Sequence, residues 1–244
     1  MINKQLDTLF ARWEKATKQD GLLNFCKDGL VYQREDTETI WNQSERRIVF
    51  LQKESLIPNL TDSRNIINNK EDKWFTDRLY GSRLAAWLYG LTHTTNTGFP
   101  AIETAFNKEV QVDTIHNIPF ALVNINKQAT EVASSNARIY AYADKYKQYL
   151  KEELAILNSN VCVCCGDVVF KVLKDVMFPH SPFIKVNEWI YYERYTQTII
   201  INSFLPTARK TNEDIYETML VKLIEGLRIP THELSSLDRY ITTE

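Results

Sequence analysis

The sequence predicts an α/β protein, a three-layer sandwich in which helices cover both faces of a mostly parallel sheet. Three observations lead there. First, short segments such as Ile48–Leu51 and Phe120–Val123 are apolar at consecutive positions, as strands buried on both faces are. Second, the segments between them carry apolar residues at three- and four-residue spacing, the period of a half-buried helix. Third, the two kinds alternate along the chain, and parallel strands need crossover connections of that length.

Taken in order, Leu6, Leu9, Phe10 and Trp13 predict an amphipathic helix over 2–18. Asp28-Gly29, between two short runs with aromatic or branched residues, predicts a hairpin or turn. A strand follows over 47–52. Residues 56–72, with Pro58, several Asn and mixed charges, read as a loop. In "KWFTDRLYGSRLAAWLYGL" (73–91) one stripe holds Phe75, Leu79, Leu84, Trp87 and Leu88, predicting a helix. "IPFALVNIN" (118–126) is a second buried strand, and 134–157 a long helix with tyrosines at 140, 142, 146 and 149. "VCVCCGDVVFKVL" (161–173) reads as strand, glycine turn and helix. Residues 188–206 hold an aromatic strand and a second one over 198–202, and 211–227 form the last helix. The tail 228–244 is polar. Repeats, low-complexity segments and linkers are absent from the sequence. A single domain over 1–244 is expected: an N-terminal helix and hairpin (1–46), a core (47–227) and the tail (228–244).

Composition narrows the partners little. With 244 residues, 44% hydrophobic, 25% charged and a net charge of −2, the chain suits one sizeable globular core. That charge exerts no general pull on nucleic acid, although a local basic groove stays open. The first turns carry a charge every few residues, unlike a signal peptide, and no apolar run approaches the ~20 residues of a membrane span. Cys162, Cys164 and Cys165 lie in an apolar run and Cys26 is remote, the usage of a reducing compartment. The expected location is cytoplasmic, with no membrane partner.

In open α/β sheets ligands bind beyond the carboxyl ends of the strands, so the residues just past each strand carry the functional question. In "RIVFLQKES" the strand runs directly into Gln52, Lys53 and Glu54. Glu54 is either an active-site carboxylate or a surface acid paired with Lys53. Asn124 in "LVNINK" offers a donor and an acceptor side by side, which suits the edge of a planar ring. The bland alternative is a turn asparagine followed by a solvated lysine. Strand periodicity sends Cys162 and Cys164 to one face and Cys165 to the other, so no metal site is expected, and no cofactor. Asp167 after Gly166 reads as a helix N-cap rather than part of a phosphate loop. His116 and His180 read as loop histidines without a nucleophile partner.

Together these strand ends resemble the uracil-DNA glycosylase superfamily, in its poorly characterised glycosylase-like branch. "DGLVYQREDTETIWNQSERRIVFLQKES" is similar to the lead-in to that branch's first motif, and "RLYGSRLAAWLYGL" to the helix after it. "FALVNINK" resembles the second conserved strand, which ends in a base-reading asparagine. "YKQYLKEELAILNSNVCVCCGDVVFKVL" resembles the long helix, third strand and following turn, and "TIIINSFLPTARKTNEDIYETML" the fourth strand with its histidine-proline-serine motif. The resemblance spans roughly 28–225 and implies a four-stranded parallel sheet with a pocket for a base flipped out of DNA. Glu54 would then orient a water or stabilise positive charge on the sugar. Gln52 and Lys53 would line the same turn, and Asn124 would bond the base edge. Pro206, Thr207 and Arg209 would grip phosphate or the departing base.

Two positions depart from the family pattern. Ser55 stands where the first motif commonly has proline, and Leu205 precedes Pro206 where active members commonly carry histidine. Leucine donates no hydrogen bond to a leaving base, so Arg209 and His180 are the candidate replacements. Three functions follow: hydrolysis of an N-glycosidic bond at a deaminated or damaged base in DNA, binding of a nucleobase, nucleotide or DNA without chemistry, and a protein-interaction role with no ligand.

Overall fold

The computed structural model describes residues 1–31, 34–57, 59–67 and 74–229. Its elements are α1 (Ile2–Gln19), β1 (Gly29–Leu30), α2 (Thr37–Gln43), β2 (Ile48–Glu54), α3 (Trp74–Asp77), α4 (Leu79–His93), α5 (Ile102–Ala105) and α6 (Lys108–Asn117). They continue with β3 (Ala121–Asn126), α7 (Asn136–Leu157), β4 (Val161–Cys165), α8 (Asp167–Lys171), β5 (Phe183–Lys185), β6 (Ile190–Glu193), β7 (Thr198–Ser203) and α9 (Asn212–Leu227). A 3-10 turn covers Ser63–Asn65, and α8 runs on into a π-helical stretch over Val172–Met177.

The strands form one sheet in the order β1-β3-β2-β4-β7-β6-β5. The middle four, β3, β2, β4 and β7, are parallel. β1 joins β3 antiparallel, and β6 lies antiparallel between β7 and β5. The sheet is therefore mixed and seven-stranded, where the resemblance implied four parallel strands. Of the three added strands, β6 is the aromatic strand expected within 188–206; β1 and β5, two and three residues long at the two edges, are too short to leave a clear period in the sequence.

Both faces of the sheet are covered, for the reason its sequence implied. Along β2, Val49 and Leu51 enter a core with α1 and α7, while Ile48 and Phe50 enter a second core with α4 and α9. Cys162 and Cys164 of β4 share the first core and Cys165 the second, as strand alternation requires. Trp13 of α1 stacks on Tyr149 of α7, with ring centroids 5.4 Å apart, and also meets Tyr142 and Tyr146. Ser135 caps α7 by accepting from the Arg138 N–H, and Thr211 caps α9 in the same way from Asp214.

Several local expectations need correction. Asp28-Gly29 is no hairpin turn: Gly29 and Leu30 pair with β3, and Phe25 bridges to Gln128 farther along the same edge. Gly29 has φ +114°, and a Cβ there would lie 2.8 Å from Leu6. Asp167 is not the cap of α8; Gly166 occupies that position, and Asp167 pairs with Lys171 one turn on at 2.7 Å. The helix expected over 73–91 is two, broken at Arg78, which leaves Leu79 half exposed at 51%. Of the two alternatives for Asn124, the turn asparagine followed by a solvated lysine fails: Asn124 lies within β3 and Lys127 is fully buried. Pro58, residues 68–72 of the expected loop, Lys73 of the expected helix and 230–244 of the expected tail lie outside the described residues.

The break between α3 and α4 is tight. A Cβ on Gly81 would fall 1.9 Å from the Phe75 carbonyl oxygen, so the two helices meet at backbone distance. Gly81→Ala is expected to destabilise the protein by about 1–3 kcal/mol through overpacking. Urea unfolding of the variant against the parent measures it, and an unchanged midpoint contradicts this account of the contact.

Candidate functional site

Chain order reverses across the middle of the sheet. From β2 the chain builds β3 on one side, then crosses to β4 on the other. Such a switch point opens a crevice at the strands' carboxyl ends. A cavity of about 340 Å³ lies there, at the lower end of the range for small-molecule sites.

Strand periodicity explains what lines it. In the parallel register Gln52 sits beside Asn124 and Glu54 beside Asn126. These four project on the same face as Phe50 and Leu122, two residues earlier, so the strands leave the apolar core and present amides and an acid. Gln52, Lys53, Glu54 and Asn124 all line the cavity. Leu205, Pro206 and Thr207 close it from the loop after β7, and Leu56, Ile57, Leu60 and Ile66 from the segment after β2. Phe75, Tyr80, Leu122 and Cys165 add an aromatic and apolar wall; Phe75 and Tyr80 meet edge to face at 6.0 Å. Arg209 is exposed and outside the lining, and so is His180, which stands on an exposed turn.

Most polar groups in the lining are already engaged. The Gln52 amide and Tyr80 hydroxyl bond each other at 2.5–2.8 Å, and burial raises the Tyr80 phenol above its ordinary range. Glu54 is buried and does not pair with Lys53. Its Oε1 accepts from the Ser134 N–H at 2.6 Å; its Oε2 accepts from the Ser134 hydroxyl at 2.5 Å and Asn126 Nδ2 at 3.1 Å. Three of a carboxylate's roughly four lone-pair directions are filled. Lys53 donates to the Ser134 carbonyl and to Asn136 Oδ1, at 3.1 and 3.2 Å.

Asn124 is tied from behind. Asp28 Oδ2 accepts from both its backbone N–H (2.7 Å) and its Nδ2 (3.0 Å). Asp28 Oδ1 lies 2.5 Å from Lys127 Nζ, which also stands 2.7 Å from Glu153 Oε2. All three side chains are fully buried, and Nζ lies over the rings of Trp13 and Phe10 at 5.0 and 5.6 Å. Burial works to lower the Lys127 pKa, but Asp28 and Glu153 outweigh it and the net shift is upward. Glu153 is pushed well above the carboxylate range, by burial first and by the Asp28 charge second. The group is a buried cation held between two acidic side chains, with burial and the neighbouring Asp28 both working against ionisation of Glu153.

The far wall has its own pin. Arg83 of α4, only 4% exposed, donates to the carbonyls of Pro206, Ala208 and Lys210 and to Asn212 Oδ1, all within 2.6–2.9 Å. Burial lowers its pKa from the usual arginine value. It fixes the loop that presents Leu205, which lies 3.3 Å from the Cβ position of Gly166 (φ +107°) and is 43% exposed at the rim. Phe75, Tyr80, Arg83, Asp28, Lys127, Ser134 and Glu153 all belong to this site and were not singled out from sequence. One of them left a trace: Glu153 sits on the apolar stripe of α7 between Leu150 and Leu157. No group of three metal-ligating side chains occurs among the described residues. No described helix is long and apolar enough to cross a membrane.

Compared with protein-family models, the chain matches none, and no curated protein matches it.

The buried trio predicts an inverted pH dependence. Glu153 ionises near 4.5 when unfolded but well above that when folded, so its contribution is complete below pH 4.5 and is lost as pH rises towards the folded value. Urea unfolding between pH 5 and 9 should show this loss, at up to about 1.4 kcal/mol per pH unit, and Glu153→Gln should flatten it. Equal slopes in the two proteins contradict an upward shift of Glu153. Lys127→Met, which strands the Asp28 charge, should lower stability by ~3–5 kcal/mol in the same assay.

Proposed function

We propose that the chain is a uracil-DNA glycosylase-like protein whose cavity takes one base extruded from DNA. The observation that carries this reading is convergence: Gln52, Lys53 and Glu54 of β2, Asn124 of β3, and Pro206 and Thr207 of the loop after β7 line a single cavity. A flipped base is read by hydrogen bonds to its edge and by contact with aromatic and apolar walls, and Asn124 together with Phe75, Tyr80 and Leu122 in the same lining supplies both. The four parallel strands at the centre of the sheet also suit the resemblance.

In the catalytic form of this reading a water oxygen bonds to the sugar C1′ as the C1′–N bond breaks; the base leaves with that bonding pair, and the proton the water gives up to solvent is balanced by one that the base anion takes from solvent. Glu54 directs the water through its remaining lone pair, or opposes the positive charge growing on the sugar. A specific observation favours a second form, binding without excision. Leu205 at the rim offers no donor to the departing base, and a missing donor of that kind costs about 3–4 kcal/mol of barrier.

One experiment separates the two. Single- and double-stranded oligonucleotides carrying uracil or hypoxanthine are incubated with the protein and then cleaved with alkali, with Glu54→Gln alongside. Catalysis is expected as lesion-dependent cleavage that falls by about 100-fold or more in the variant. Retention of the lesion oligonucleotide by both proteins without cleavage supports the binding form. The absence of both cleavage and retention refutes the proposal.

A further inference from the structure

We propose that Asp28, held by Lys127, is the positioning residue that sets which edge of a ligand the cavity accepts. The inference rests on the reading that Asn124 meets the base. An amide carries a donor end and an acceptor end of nearly the same shape, so its selectivity depends on which way round it is held. A carboxylate accepts and cannot donate. With Lys127 Nζ at 2.5 Å from Asp28 Oδ1, and with Asp28 Oδ2 accepting from the Asn124 backbone N–H at 2.7 Å, the side-chain atom 3.0 Å from Oδ2 must be nitrogen. Turning the amide over would set two oxygens against each other in a buried site, without water to separate them.

What Asn124 offers the cavity is thereby fixed as Oδ1 with the second Nδ2 hydrogen beside it. Oδ1 accepts from no protein group among the described residues, unlike the neighbouring Gln52, Glu54 and Asn126, whose polar atoms bond within the protein. The complementary ligand edge carries an N–H next to a carbonyl oxygen, the lactam edge of an oxidised or deaminated base. A ring whose N–H is methylated presents no donor and is refused. Phe10 and Trp13, whose rings lie against the Lys127 ammonium, belong to the same device because they keep it in place behind Asp28.

The test titrates free uracil and 3-methyluracil into the parent protein and into Asp28→Asn, by ligand-observed NMR. An asparagine at 28 both donates and accepts, so Asn124 is free to turn over, while Glu153 remains to balance Lys127. The parent should prefer uracil by roughly tenfold or more, the usual worth of one good base contact, and the variant should show about twofold or less. A merely structural role for Asp28 would weaken both ligands alike and leave the ratio unmoved. A preference kept in folded Asp28→Asn overturns the positioning role but leaves the proposed function standing. Failure of the parent to bind either ring overturns the underlying reading instead. If Asp28→Asn does not fold, the Asn124 side-chain amide of the parent, assigned through its own Hβ protons, answers the question. Uracil should shift only one of its two Nδ2 protons, with the other held downfield by Asp28, and an equal response of both protons overturns the proposal.

Discussion

Lys127 stands where four parts of the chain meet with no water between them. Its ammonium touches Asp28 before β1, Glu153 on α7 and the rings of Phe10 and Trp13 on α1, while its backbone follows the last residue of β3. A buried cation is tolerated only if it is paired and hydrogen-bonded, so each neighbour is constrained in turn. Asp28 must lie alongside β3, which makes the short edge strand β1 part of the sheet. Glu153 must face inward, which sets the rotation of α7. Asn124 takes its orientation from what is left of Asp28. Replacing the trio with apolar residues of like volume need not weaken the fold. It would remove the reason for the amide to point as it does.

The opposite wall follows a similar logic with a different cation. Arg83 spends its donors on three carbonyls and Asn212, so the turn after β7 is shaped from beneath by a helix rather than by glycines within it. The chain has only seven glycines, and two of them matter here. Gly81 allows α3 and α4 to touch, which brings Phe75 and Tyr80 together, and Gly166 makes room for Leu205. Tightness in this site thus comes from polar pins and two backbone contacts.

Strands and candidate residues were legible in sequence where one local rule decided them. Apolar runs on both sides of β2 and β4 mark interior strands, and strand ends in an α/β sheet mark the crevice, which is how Gln52, Lys53, Glu54 and Asn124 were found. The edge strands were not legible because two or three residues show no period, and their pairing depends on what lies across from them. Lys127 and Asp28 were misread for a related reason. A lysine after a strand and an Asp-Gly pair are surface features in most settings, and only tertiary pairing reverses that. α4 hid Arg83 because that helix is buried nearly all round, so an arginine within it breaks no stripe. Arg209 shows the limit of motif carry-over: two residues beyond Thr207, it is exposed where the loop bends around Arg83.

The same geometry bears on chemistry against recognition. A catalytic carboxylate needs freedom to take a water or face a growing charge, and Glu54 has given most of its acceptor capacity to Ser134 and Asn126. Those bonds also hold it in one place, which is what preorganised stabilisation of a sugar cation requires. Its engagement therefore argues against a mobile general base far more than against a fixed negative charge. Leu205 bears on the other half of the reaction, the leaving base, where a donor rather than a charge is needed. Any excision by this cavity would then rest on cation stabilisation and on leaving groups that depart unaided, which confines it to bases with a weakened glycosidic bond.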